Sequence, residues 1–139
     1  MGALTKAIYE RLASDPELRA MLATYQGHPA IFTGDPPGDA QFPMILVHGP
    51  HSDTPDDTKT SLGREVMRDI ACYTEGTGSV ADVEAIAERV RQLFHRASLP
   101  VDGYRVWLVQ ASGPTTASDR DDKVQGRVVT LRLRMQQTG

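Results

Sequence analysis

The chain has 139 residues, the size of a single domain spanning 1–139, with no room for a catalytic core beside a separate regulatory domain. Apolar residues make up 40% and charged residues 24% of it, an ordinary globular balance that excludes wholesale disorder. Lysine and arginine total 15 against 18 aspartates and glutamates, for a formal charge of -3, and Cys72 is the one cysteine. That balance argues against a free-standing nucleic-acid binder, and a lone thiol excludes a disulfide-stapled scaffold and points to a reducing compartment.

From Ala3 to Leu12, the residues Leu4, Ala7, Ile8 and Leu12 recur at helical spacing opposite Lys6, Glu10 and Arg11. This predicts an amphipathic helix, not the basic-then-apolar opening of a secretory signal. Ser14-Asp15-Pro16-Glu17 supplies a cap, a proline suited to a first helical position and an acidic first turn. A short second helix is expected from Pro16 to Ala23, ended by Gly27-His28-Pro29. Ala30-Ile31-Phe32 reads as a brief strand, and Gly34-Asp35-Pro36-Pro37-Gly38-Asp39 as turns. Pro43 to His48 is a compact apolar strand. Gly49 to Ser61, interrupted by Pro50 and Pro55 and poor in apolar residues, is expected to be a long exposed loop.

Arg64 to Thr74 should be a strand with Val66, Ile70 and Cys72 on one face and Met67, Ala71 and Tyr73 on the other. Gly76-Thr77-Gly78 turns the chain, and Ser79 with Asp82 resembles a capping pair. Val80, Val83, Ile86, Ala87, Val90, Leu93 and Phe94 then trace the stripe of a second long helix, closed by Leu99-Pro100. Tyr104 to Ala111 is expected to alternate as a strand, Val106 and Leu108 opposite Trp107 and Val109. Ser112 to Lys123 reads as a second polar loop and Val124 to Gln136 as a final strand.

Two long amphipathic helices have enough apolar surface to cover one face of a four- to five-stranded, mostly antiparallel sheet, an α+β fold. The helix linking Tyr73 to Tyr104 suggests one parallel strand pair, and the strands flanking Ser112 to Lys123 an antiparallel hairpin. No apolar run approaches the roughly 20 residues of a membrane span, and no internal repeat is visible.

Chemistry is sparsely marked. Gly76-Thr77-Gly78-Ser79-Val80-Ala81 fits a dinucleotide fingerprint between a strand and a helix. A chain with one such βα unit, whose Asp102 sits in a Pro100–Gly103 turn, is better explained by a tight glycine turn feeding a helix. His48, His51, Asp53, Asp56 and Asp57 are metal-ligand types, yet they share a proline-broken polar stretch and read as a solvated or protein-binding loop. Cys72 lies mid-strand as a core residue, and His95 has no catalytic partner nearby in sequence. Arg64, Arg68, Arg105, Arg132 and Arg134 crowd the strands and read as salt-bridged surface residues, better suited to a protein interface than to nucleic acid. No catalytic, cofactor-binding or metal-binding residues are assigned.

Several stretches together resemble one family. The opening helix breaks at Ser14-Asp15-Pro16-Glu17-Leu18, and a proline-led strand runs Phe42-Pro43-Met44-Ile45-Leu46-Val47. Arg68-Asp69-Ile70-Ala71-Cys72-Tyr73 precedes an alanine-rich helix from Ala81 to Leu93, and the last strand is Arg127-Val128-Val129-Thr130-Leu131-Arg132-Leu133-Arg134. Over nearly the whole chain this pattern is similar to the small tail-completion or tail-terminator proteins of long-tailed bacteriophages and phage-derived gene-transfer particles. The resemblance implies a structural virion protein without enzyme activity or cofactor, assembled in the bacterial host cytoplasm. It would form a homo-oligomeric ring, usually of six subunits, at the head-proximal end of the tail, ending tube growth and joining the tail to the head connector. Its partners would be itself, the tail tube protein and the connector, with no membrane and no sequence-specific nucleic acid, although DNA can pass through such a ring. A closed ring of identical subunits uses two different patches on each. The mixed charges of the two loops, His51, Asp53, Asp56, Asp57 and Lys59 in one and Arg120, Asp121, Asp122 and Lys123 in the other, are the expected contacts. Two other readings stay open at this stage: a small nucleotide-binding enzyme using Gly76 and Gly78, and a bacterial adaptor of similar fold outside any particle.

Overall fold

The computed structural model describes residues 2–55, 63–76, 80–116 and 124–138. The first helix, α1, spans Gly2–Ala13 and turns Leu4, Ala7, Ile8 and Leu12 inward. The second, α2, covers Pro16–Met21. Asp15 caps it, its Oδ2 accepting the Leu18 N–H at 2.9 Å, with Pro16 filling a first-turn position that needs no donor. This helix stops short of Ala23 because Leu22 is already extended, at ψ 153°, which buries its side chain. The segment expected only to end it instead forms a small antiparallel ribbon, β1 (Thr24–Tyr25) with β2 (His28–Pro29). Its turn residues, Gln26 and Gly27, both take positive φ, the geometry that follows the twist of a two-residue hairpin.

The main sheet holds five strands: β3 (Ile31–Phe32), β4 (Met44–Pro55), β5 (Gly63–Glu75), β6 (Tyr104–Thr116) and β7 (Val124–Gln137). Their order is β3-β4-β5-β7-β6. β3 runs parallel to β4, and the remaining neighbours are antiparallel. The third helix, α3 (Ala81–Phe94), follows β5 and packs with α1 and α2 on one face of the sheet, so the α+β class holds, with the short α2 beside the two long helices. Its N-cap is Val80, without a side-chain cap bond; Ser79 lies outside the described residues.

Three expectations are corrected. Gly49 to Ser61 is not a loop through most of its length, since β4 continues to Pro55. Two register shifts, between Val47 and Pro50 and between Pro50 and Ser52, let a proline sit in the strand without breaking the ladder. Ser112 to Lys123 likewise begins as strand, β6 running to Thr116 across a shift between Ser112 and Thr115. The proposed parallel pair does not form either: β5 and β6 point the same way, but β7 lies between them and pairs with both.

The core lies between the helices and the inner face of the sheet. Val66, Ile70 and Cys72 of β5 and Val129, Leu131, Leu133 and Met135 of β7 face Ile8, Leu12, Val83, Ile86, Val90 and Phe94. Complete burial pushes the Cys72 thiol up to about 12, which keeps it protonated and inert. Alternation fails in β6, where a register shift falls between Val106 and Leu108. The extra residue moves Trp107 out of step with Val109, so Val109 is buried while Trp107 is exposed.

Candidate assembly surfaces

The strand register fixes where the two charged segments leave the sheet. Gly63 faces Gln136 and Tyr104 faces Gln137, so residues 56–62 join the sheet at that end. Glu75 faces Val124 and Thr116 faces Arg127, so residues 117–123 join it at the other. Both segments lie outside the described residues, and with them Asp56, Asp57, Lys59, Arg120, Asp121, Asp122 and Lys123. Of the expected contacts, His51 is placed in β4 by its backbone, and Asp53 belongs to the same strand.

Asp53 is engaged within its own hairpin. The Arg64 guanidinium grips its carboxylate with a fork, Nε to Oδ1 at 3.0 Å and NH2 to Oδ2 at 2.9 Å. The remaining Arg64 NH1 donates to the Tyr104 hydroxyl at 3.4 Å. This ties β4, β5 and β6 together at the end nearest residues 56–62, a bracing role that the linear spacing did not reveal. Among the described residues, no three histidine, cysteine or acidic side chains converge on a metal site. Of the proposed fingerprint, Gly76 has φ +136°, and Thr77, Gly78 and Ser79 lie outside the described residues.

The arginines do not share one face. Arg132 and Arg134 lie on the helix-free face and both hold Glu65, at 3.2 Å and 3.1 Å. Their hydrogen bonds, that of Arg132 foremost, keep the Glu65 carboxyl below its ordinary value. Thr130 donates to Asp69 at 2.8 Å in the same lattice. Arg134 also lies under the Trp107 ring, 5.6 Å from its centroid, while the indole itself is 50% exposed. The sequence offered one signal for this residue, its being the only tryptophan in the chain.

Arg68 goes the other way, into the core, at 1% exposure. Its Nε donates to the His48 carbonyl at 2.9 Å and its NH2 to the Thr5 hydroxyl at 3.0 Å, while NH1 finds no partner. Burial lowers its pKa, since the charged form is the one that loses water. His95 also has a structural role: its Nδ1 accepts the Ala111 N–H at 3.2 Å, and the Arg96 N–H donates to the Val109 carbonyl at 2.9 Å. Together they cover the middle of β6, an outer strand whose backbone is otherwise open to strand addition.

Two clefts are lined by described residues. An open one of about 460 Å³ lies between α1 and β3, lined by Gly2, Thr5, Lys6, Tyr9, Ile31 and Thr33. A smaller one, about 220 Å³, is lined by Met21, Pro43, Asp82, Ala85 and Ile86. Neither of these two linings pairs a nucleophile with a base.

Comparison with known proteins gives a family. The family described as Tail completion protein gp17 matches residues 6–136. Among solved structures, a chain from the virion of a native gene transfer agent particle superposes with a TM-score of 0.83 at 21% identity, covering 97% of this chain and 96% of that one. No curated protein matches.

Proposed function

This chain belongs to the tail completion protein gp17 family, a structural protein of the virion tail and not an enzyme, and from that premise we propose that it forms a ring at the head-proximal end of the tail tube. The ring ends tube polymerisation and joins the tail to the head connector. The observation that supports this reading is that the strand ends Pro55 and Gly63 lie at one end of the braced sheet and Thr116 and Val124 at the other. A terminator has to address two different partners, the tube on one side and the connector on the other, and a sheet with two opposite ends provides two separated contact regions on one body. The side edges of the sheet, β3 and β6, remain for neighbouring subunits, in keeping with the unlike surfaces that a closed ring of identical chains brings together. Six copies is the number we propose.

Electron microscopy of particles from a producer lacking this gene, with and without the wild-type copy restored, tests the proposal. Filled heads separated from tails, or tails of uncontrolled length, reversed by complementation, are the expected result. Normal functional particles in the deletion would overturn it.

A further inference from the structure

We propose that Trp107 is the knob of the subunit–subunit contact and that the α1–β3 cleft of a second copy of this chain is its socket. The inference rests on the ring reading and names the partner surfaces within it. Trp107 is half exposed, although indoles are costly to leave in water, and it is not mobile decoration: the β6 register shift displays it and Arg134 supports its ring at 5.6 Å. Rigid exposed tryptophans with an arginine beside them are the residue types that dominate protein interfaces. β6 is the outermost strand on one side of the sheet and β3 the outermost on the other. A knob beside one edge and a socket beside the opposite edge cannot satisfy each other within one subunit. They meet between copies arranged head to tail, the heterologous contact that closes a ring.

The socket fits in size and character. Its volume of about 460 Å³ lies in the range that accepts an aromatic group, with the Tyr9 ring and Ile31 as apolar walls and the Lys6 side chain, its ammonium 3.9 Å from the Glu10 carboxylate, at its rim. Charge points the same way. The only charged residue in Tyr104–Thr116 is Arg105, whereas the turn segment that follows the socket, residues 33–43, carries Asp35 and Asp39 and no base. Docking one edge onto the other brings the arginine toward those aspartates, a complementarity that two like edges would lack.

Cross-linking in assembled particles tests this. Particles are made with Trp107→Cys and Thr33→Cys together and with each alone, then oxidised and run without reductant. Cys72 is buried and protonated, so the native thiol adds no background. A ladder of multiples of this chain from the double variant, absent from both single variants, is expected. Particles that hold several copies of the double variant but give no ladder overturn the pairing and leave the ring intact. A dimer from Trp107→Cys alone also overturns it, because like surfaces would then meet. Particles found to hold a single copy overturn the ring reading itself. Trp107→Ala provides a second readout: with unchanged circular dichroism and melting, it should lower the yield of functional particles about tenfold or more, and an undiminished yield overturns the proposal.

Discussion

Asp15 joins two helices that are far apart in the chain. It caps α2 through Leu18 and receives a two-point grip from Arg89 of α3, at 2.9 Å and 2.7 Å. The Arg89 hydrogen bonds hold its carboxyl below the ordinary value. With the folded-state pKa depressed, Asp15 contributes its full stability above its unfolded value and loses it as acid drives the pH down through the folded one. Urea titrations should therefore show stability falling below about pH 4, and Asp15→Asn should flatten that fall while keeping the cap. Asp15→Ala, which loses both, should cost about 2 kcal/mol at neutral pH. The cap was legible because Ser14 to Glu17 is a local pattern; its partner lies in another helix and was not. Arg68 was illegible for a different reason. An arginine in an alternating strand reads as exposed, and only the His48 carbonyl and the Thr5 hydroxyl, both brought in by the fold, explain its burial. Arg68→Met removes a charge without a matching carboxylate among the described ion pairs and should fall within about 1 kcal/mol of wild type. Arg68→Ala, which adds a hole to the orphaned His48 carbonyl that both variants leave, should cost about 3 kcal/mol by denaturant unfolding.

Among the elements, the helices and the apolar cores of the strands followed from periodicity, because each buries one clear stripe. The ends of β4 and β6 did not. Past Val47 and past Ala111 the sequence becomes polar and gathers proline and glycine, which resembles a loop when backbone pairing with the neighbour cannot be seen. Those extensions depend on irregular positions. At Gly113, φ is +97°, and a Cβ there would stand 2.8 Å from the Val128 carbonyl oxygen and 3.0 Å from the Thr115 nitrogen, both backbone atoms. Gly113→Ala should lower stability by about 2–3 kcal/mol, seen as a drop in melting temperature. His95 gives a milder case. Its own helix says nothing about β6, yet its ring accepts one N–H in the middle of that strand's edge.

For the whole molecule, the family pattern was spread along the chain, so the resemblance could be read while no single motif carried it. The contact residues were less accessible to sequence reasoning. Charge picked out Asp53, which the structure pairs with Arg64, and passed over Trp107, which we propose as a contact and whose exposure follows from one inserted residue in β6. Asp56→Lys with Asp57→Lys still tests the proposed contact through residues 56–62. The double variant should melt within a few degrees of wild type and fail to restore head-joined particles when it replaces the native copy; normal particles would remove that segment from the proposed assembly surface. The placement of β7 has a consequence for biosynthesis. The strand made last of the three fills the slot between β5 and β6, so a nascent chain carries two unsatisfied strand flanks until residue 137 has emerged from the ribosome. Sheet closure therefore waits for β7 and is dominated by distant pairings, which makes it slow. During that interval the open flanks are the point at which identical nascent chains in one cell would pair wrongly, and where a chaperone that shields strand edges would act.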